Sequence, residues 1–341
     1  MPKQSPEKPS SGAATIYDIA KLAGVNASTV SRALSTPGRI SAKTSAKIQA
    51  AAKELNYVVN PFARALPTGR TKMIALMMAD ITNPVFFGVI RGAESVAAEH
   101  GYVLVIAESQ ESRADEETII QRILPTVDAV MLITTRLPDV DIQRINDIKP
   151  TVLVNQTVKG VHDVVPDFAP GANAAVEHLK KLGHTRIAYL NGPVSSWMSR
   201  HRWNLLSKAA GAQGVSIVEI GPNKPDLEGG AAAAERIAEA KVTAVITYNA
   251  VMAIGLLQES IKRGVNVPKD LSIIGFDNIF ASDFTTPALS TIQLPLEQLG
   301  KDAINMLLEL LNKDSQKKVP MHRSKLETSL LLRDSTAKAK A

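Results

Sequence analysis

Within the six residues Ala27–Arg32 the chain sets three short hydroxyls, Ser28, Thr29 and Ser31, beside one guanidinium, Arg32. Short hydroxyls reach phosphate oxygens and base edges, and an arginine can grip a guanine through two parallel hydrogen bonds. A second polar set lies far downstream. Asp277, in GFDN, follows an apolar run and projects from a strand C-terminus, and Asn155 and Asn249 close two other such runs. Arg202, in SSWMSRHRW, falls on a helix after the run that ends at Asn191. An arginine and a carboxylate in one cleft offer donors and acceptors to adjacent hydroxyls. The sequence holds no Walker loop, G-x-G-x-x-G, G-x-S-x-G or H-E-x-x-H, each of which would bring its own chemistry. It holds no Cys, and His162, His178, His184 and His201 lack metal-ligand spacing. No catalytic residue, cofactor or metal is therefore expected.

These residues need scaffolds, and the sequence supplies two. Thr15–Leu55 reads as three helices: Ile16–Ala23 ended by Gly24, Ala27–Leu34 capped by Asn26, and Ala42–Leu55 capped by Ser41. Asn and Ser cap helices because their side chains take orphan backbone N–H groups. Ile19, Ala20, Ala23, Val25, Val30, Ala33, Ile48 and Leu55 supply a small core. Asn60 and Pro61 favour a further helix start, but Asn60–Thr68 is too short to hold a helix alone in water. A helix there forms only with a partner.

From Met73 the texture changes. Short apolar runs (Met73–Met78, Val103–Ala107, Ala129–Ile133 and Val152–Val154) alternate with helical-period segments, the first of them Phe86–Glu99. The alternation repeats at Ile187–Leu190, Ile217–Ile220, Ala244–Thr247 and Leu271–Gly275. This is the pattern of parallel sheets with helices on both faces. A Gly/Pro cluster over Thr157–Pro170 breaks the series and favours two doubly wound sheets over one barrel. The helical Leu296–Leu311 and the strand-like Leu326–Leu332 can return to complete each sheet, leaving a cleft between two lobes.

The 341 residues, 45% apolar and 21% charged, suffice for more than one core. The net charge of +6 is concentrated: residues 1–72 hold 11 Lys/Arg against three carboxylates, a net +8, and the remainder carries −2. A basic head on a near-neutral body points to a polyanion partner for the head alone. No apolar run reaches the roughly 18–20 residues that span a bilayer, and Met1–Ala14 lacks the apolar core of a secretory signal. A soluble, cytoplasmic chain with no membrane partner is expected.

The segment TIYDIAKLAGVNASTVSRALSTPGRISAKTSAKIQAAAKELNYVVNP resembles the N-terminal helix-turn-helix of LacI/GalR-type transcriptional regulators almost position for position. ITNPVFFGVIRGAE, HLKKLGHTRIAYLNGP, the Arg202 segment and VPKDLSIIGFDN stand where that family has its landmarks, so the resemblance spans about residues 15–333. It implies a homodimeric repressor that binds palindromic double-stranded operator DNA. A two-lobed, periplasmic-binding-protein-like domain would bind a small effector of the sugar, polyol or nucleoside class.

The resemblance assigns Thr15, Tyr17, Ser31, Arg39 and Asn60 to the DNA backbone, and Ala27, Ser28 and Arg32 to bases, with Thr29 and Ala63 in the same interface. Leu66 matches an apolar wedge that enters the minor groove. Phe86, Asn155, Arg202, Asn249 and Asp277 match effector-contacting positions. The sequence departs from the family pattern in places. Ala27 and Ser28 are smaller than many members carry there, and Ala250 replaces an acid common beside Asn249. Pro67, directly after Leu66, pushes that residue away from helical dihedrals.

The organisation implied is a disordered leader over 1–14, a helix-turn-helix domain over 15–59 and a hinge helix and linker over 60–71. A two-lobed effector-binding and dimerisation domain follows over 72–333, and a flexible tail over 334–341. Two rival classes fit less well. An enzyme would need a catalytic motif, and an exported sugar receptor would need a signal peptide and have no use for the basic head.

Overall fold

The computed structural model describes residues 14–35, 38–57, 69–312 and 326–340. The chain divides into two compact units, Met1–Thr71 and Lys72–Ala341.

In the first unit, α1 (Ile16–Ala23), α2 (Ala27–Ser35) and α3 (Ala42–Glu54) enclose Ile19, Ala20, Val30, Ile48 and Ala51. Thr15 opens α1 with a capping box: its hydroxyl accepts from the Asp18 N–H, and the Asp18 carboxylate accepts from the Thr15 N–H at 2.8 Å. Gly24 ends α1 at φ +65°, a left-handed conformation that glycine adopts without steric penalty. The next helix can therefore start three residues later.

The second unit holds two sheets. The first runs β2-β1-β3-β4-β5, all parallel, from β1 (Met73–Met78), β2 (Val103–Glu108), β3 (Ala129–Ile133), β4 (Thr151–Val154) and β5 (His162–Val164). The second runs β11-β10-β9-β8-β6-β7, from β6 (Arg186–Leu190), β7 (Ser216–Ile220), β8 (Ala244–Thr247), β9 (Ser272–Phe276), β10 (Ser290–Gln293) and β11 (Ser329–Leu331). Its strands are parallel except for β11. The central strands β1, β3, β8 and β9 are buried on both faces, as helix-covered parallel strands must be.

The helix Leu296–Leu311 returns to the first lobe and lies on the helix Val85–Glu99. The two backbones touch. A Cβ at Gly92 would sit 1.9 Å from the Glu297 carbonyl oxygen, and one at Gly300 would sit 2.1 Å from that of Val89.

The structure differs from the sequence reading in three places. The 157–170 stretch is not only a break, since it contains β5. The late elements do not complete one sheet each: the helix covers the first lobe, and β10 and β11 both join the second sheet. The tail 334–341 is not free over its described part. Ser335 is fully buried and trades backbone bonds with β9, the Ile273 N–H donating to the Ser335 carbonyl at 2.8 Å. The Ala339 N–H donates to the Leu182 carbonyl at 2.8 Å, and His184 lies 2.7 Å from Thr243 Oγ1 and 3.1 Å from the Ala337 carbonyl. The tail therefore packs as part of the second lobe.

Candidate functional site

In the head, α2 buries Val30, half-buries Ala27, Thr29 and Ala33, and leaves Ser28, Ser31 and Arg32 exposed. Of the hydroxyl-plus-guanidinium group read from the sequence, Ser28, Ser31 and Arg32 are exposed, while Thr29 is half-buried beside Ala27. Tyr17 is 72% exposed on α1. Arg39 is exposed in the turn before α3. Thr15 is exposed, but its hydroxyl is engaged in the α1 cap, donating to Asp18 Oδ2 at 2.7 Å. Asn60, Ala63, Leu66 and Pro67 lie outside the described residues.

In the second unit each sheet's strand order reverses once, between β1 and β3 in the first and between β6 and β8 in the second. The two helices that follow the reversing strands leave on opposite faces, so a crevice opens beyond the strand C-termini. Both crevices face one cavity, with Asp80, Phe86, Glu111, Thr134, Arg136 and Asn155 on one lobe and Met198, Arg202, Tyr248, Asn249 and Asp277 on the other. The five residues expected at an effector therefore line a single cavity.

Arg202 and Asp277 form its centre. Arg202 is 3% exposed, and its Nη2 donates to Asp277 Oδ1 at 2.8 Å. Its Nη1 donates to the Tyr248 carbonyl, and its guanidinium carbon lies 4.5 Å from the Phe276 ring centre and 5.3 Å from that of Phe168. Its Nε is buried without a partner. Burial pushes the Asp277 carboxyl above the usual carboxylate range, against the pull of Arg202. Asn155 is buried, and its Oδ1 has no partner. A buried donor and a buried acceptor left without partners on residues that line the cavity, one on each lobe, are costly unless a ligand or water completes them.

Asn249 and Phe86 have structural duties as well. Asn249 Oδ1 accepts from the Met252 N–H at 2.8 Å, capping the helix Ala250–Lys262, while Nδ2 donates to the Pro225 carbonyl at 2.7 Å. Phe86 belongs to the core and also shows an edge to the cavity. Trp197 is half-buried and stacks on His201, ring centres 4.5 Å apart.

The sequence reading missed Arg136 and Glu111. Arg136 follows β3, and its Nη2 lies 2.5 Å from Glu111 Oε2. Behind them Glu116, 1% exposed, accepts from Thr135 Oγ1 at 2.5 Å and from the Arg136 N–H at 2.8 Å. The available signal was the one that found Asp277, namely polar residues directly after an apolar strand. Backbone strain gathers at the same strand ends. Gln110, Glu111, Thr134, Asn155 and Asp277 all adopt φ between +49° and +67°, and for a β-branched residue such as Thr134 this is an outlier of the kind that clusters at functional sites.

The comparisons with known proteins agree with both units. A model described as "Bacterial regulatory proteins, lacI family" matches residues 15–60, and one described as "Periplasmic binding protein-like domain" matches residues 176–336. The HTH-type transcriptional repressor CytR of Escherichia coli (strain K12) is 33% identical over 305 residues, covering 87% of this chain and 89% of that protein. The ribose operon repressor of the same organism is 34% identical over 307 residues, covering 86% of this chain and 92% of that protein. The crystal structure of the Lac repressor dimer bound to operator and the anti-inducer ONPF aligns with a TM-score of 0.83 at 25% identity, over 96% of this chain and all of that one. By sequence, fold and the order of its two units, the chain belongs to the LacI family of bacterial DNA-binding transcriptional regulators.

Proposed function

We propose that this chain is a repressor without enzymatic activity that works in the cytoplasm as a homodimer. Two heads bind a roughly palindromic operator, and a small sugar, polyol or nucleoside in the cleft switches them. The observation that carries the reading is the exposed row Ser28, Ser31 and Arg32 on a head within residues 1–72, the stretch that holds all of the chain's basic excess. Ala27, Ser28 and Arg32 meet base edges with Thr29 in the same interface, while Thr15, Tyr17, Ser31, Arg39 and Asn60 meet phosphates. Ala63 and Leu66 lie in the hinge that enters the minor groove. The domain division proposed is a head over 15–59, a hinge over 60–71 and an effector unit from 72 onward. Support for a dimer comes from the second lobe, where Phe280 and Phe284 are 60% and 79% exposed and meet edge to face at 6.2 Å. Large exposed aromatics of this kind mark association surfaces.

Support for the effector comes from the cleft, where Phe86, Asn155, Arg202, Asn249 and Asp277 converge around open donors and acceptors. The test compares the full chain with residues 72–341 in gel shifts against sheared genomic DNA. Only the full chain should bind. With roughly 6–10 phosphates neutralised, its affinity should fall about 10³–10⁵-fold between 50 and 200 mM salt. Salt-insensitive binding, or equal binding by residues 72–341, would overturn the reading.

A further inference from the structure

The cavity opens to solvent through a mouth that shares Asp80, Glu111 and Pro225 with it, so the two form one cleft. Its carboxylates are Asp80, Glu108, Glu111, Asp226 and Asp277, and its cations are Arg136, Arg202 and Lys224. Five carboxylates against three cations leave a net charge of −2 on the lining. Both guanidiniums are already neutralised. Arg202 holds Asp277 at 2.8 Å from the second lobe, and Arg136 holds Glu111 at 2.5 Å from the first, with a further bond to the Thr134 carbonyl at 2.6 Å. Lys224 shares the mouth with Asp80, Glu108 and Asp226. A phosphate monoester, carrying close to two negative charges, would enter against this field and find both guanidiniums already paired. Two residues of the lining instead hold single buried hydrogen-bonding atoms without partners, Asn155 Oδ1 and Arg202 Nε, and Phe86 and Tyr248 line the same cavity.

We infer that the effector is electrically neutral, that the cleft rejects the phosphate ester of the same compound, and that the Arg136–Glu111 pair sets this selectivity from the first lobe. The inference rests on the reading of this cleft as the effector site. Arg136 donates to the ligand only through the N–H groups that Glu111 leaves over, so it hydrogen-bonds a hydroxyl without acting as an anion receptor.

The test measures thermal shifts of the full chain with D-ribose, D-glucose and the four ribonucleosides, each against its 5′- or 6′-phosphate, at 50 and 300 mM salt. A neutral compound should raise the midpoint, and its phosphate should bind at least about 30-fold more weakly, a gap of roughly 2 kcal/mol. The gap should narrow at 300 mM salt, because screening weakens the repulsion. Glu111→Gln should strengthen phosphate binding about 10-fold by freeing Arg136. Asp80→Asn, which keeps the turn to Thr82, should move in the same direction by removing one charge. A phosphate that binds wild type as well as its neutral parent overturns the inference and leaves the effector site standing. If neither arm shifts the midpoint or alters DNA binding, the effector reading falls and takes the inference with it.

Discussion

Replacing Asp277 by alanine leaves Arg202 charged, 3% exposed and without its carboxylate. At the observed 2.8 Å contact the charge centres lie about 4 Å apart, which at an effective dielectric constant of about 20 corresponds to roughly 4 kcal/mol of attraction. Breaking one side of a buried pair costs about 3–5 kcal/mol, because the survivor keeps its desolvation penalty. The Tyr248 carbonyl and the Phe276 ring retain part of the guanidinium's environment, so the lower half of that range is expected. Arg202→Met in the same background removes the orphaned charge and should recover about 2 kcal/mol. The pair is thus a coupled unit whose double-mutant cycle gives a large interaction energy. Both tryptophans, Trp197 and Trp203, lie on the helix that carries Arg202, so urea unfolding followed by intrinsic fluorescence reports on this lobe. For the unit Lys72–Ala341, an unfolding entropy of about 2 cal/mol/K per residue turns about 3–4 kcal/mol into a midpoint shift of roughly 5–7 °C. Losses that simply add, with a coupling below about 0.5 kcal/mol, refute the reasoning.

Other outcomes follow from the same geometry. Glu116 is buried, which raises its carboxyl above the usual range, so the folded state holds a proton that the unfolded chain has released. Its contribution is complete below about pH 4.3 and is lost as pH rises through the raised value. Urea midpoints for Glu116→Gln minus wild type should therefore climb between pH 4.5 and 7.5, and a flat or falling difference contradicts this. Ser335 Oγ donates to the Ile273 carbonyl at 2.6 Å and accepts from the Ser290 N–H at 2.8 Å. Ser335→Ala should cost about 2 kcal/mol in chemical denaturation, whereas a neutral substitution would mean that the tail is not docked in solution. Leu66→Ala should weaken binding to operator more than to random DNA in fluorescence anisotropy, because a wedge acts only where the central step deforms. Equal losses on both would remove the wedge role.

The parallel strands were legible because four- to six-residue apolar runs such as MIALMM and AVMLI have no other comfortable home than a sheet covered on both faces. β5 and β10 were not, since HDV and STIQ are short and polar and are strands only because β4 and β9 present edges to them. The tail failed for a related reason. Its hold on the second lobe comes from backbone bonds and one buried serine, which leave no hydrophobic period to read. In the site, Asp277 and Arg202 stood in motifs that the family resemblance singled out, whereas Arg136 needed the fold to bring the end of β3 opposite the end of β9. Asn249 shows the converse. Asparagine before a helix is a capping signal, and its Oδ1 does that local work while its Nδ2 holds the Pro225 carbonyl.

The connections between the lobes say how the cleft would open or close. The chain crosses after β5, again between β10 and the helix Leu296–Leu311, and a third time ahead of β11. The first and third crossings are tied together. The Asp167 N–H donates to the Leu326 carbonyl at 2.7 Å, the Thr328 N–H donates to the Asp167 carbonyl at 3.1 Å, and Asp167 bridges Glu327 in parallel register. The second crossing lies against both. A Cβ at Gly171 would sit 2.5 Å from Ile292 Cγ2 and 2.6 Å from Thr328 Oγ1. Within the second unit, then, the described crossings converge on one tightly packed point, while the cavity lies where the lobes face each other. Rigid lobes joined at one point change their separation chiefly by rotating about it, as hinge closures do. A ligand that completes open atoms on both walls, Asn155 on one and Arg202 on the other, gains both contacts only in one lobe angle. Its differential affinity for that angle is the whole of the free energy available to a switch.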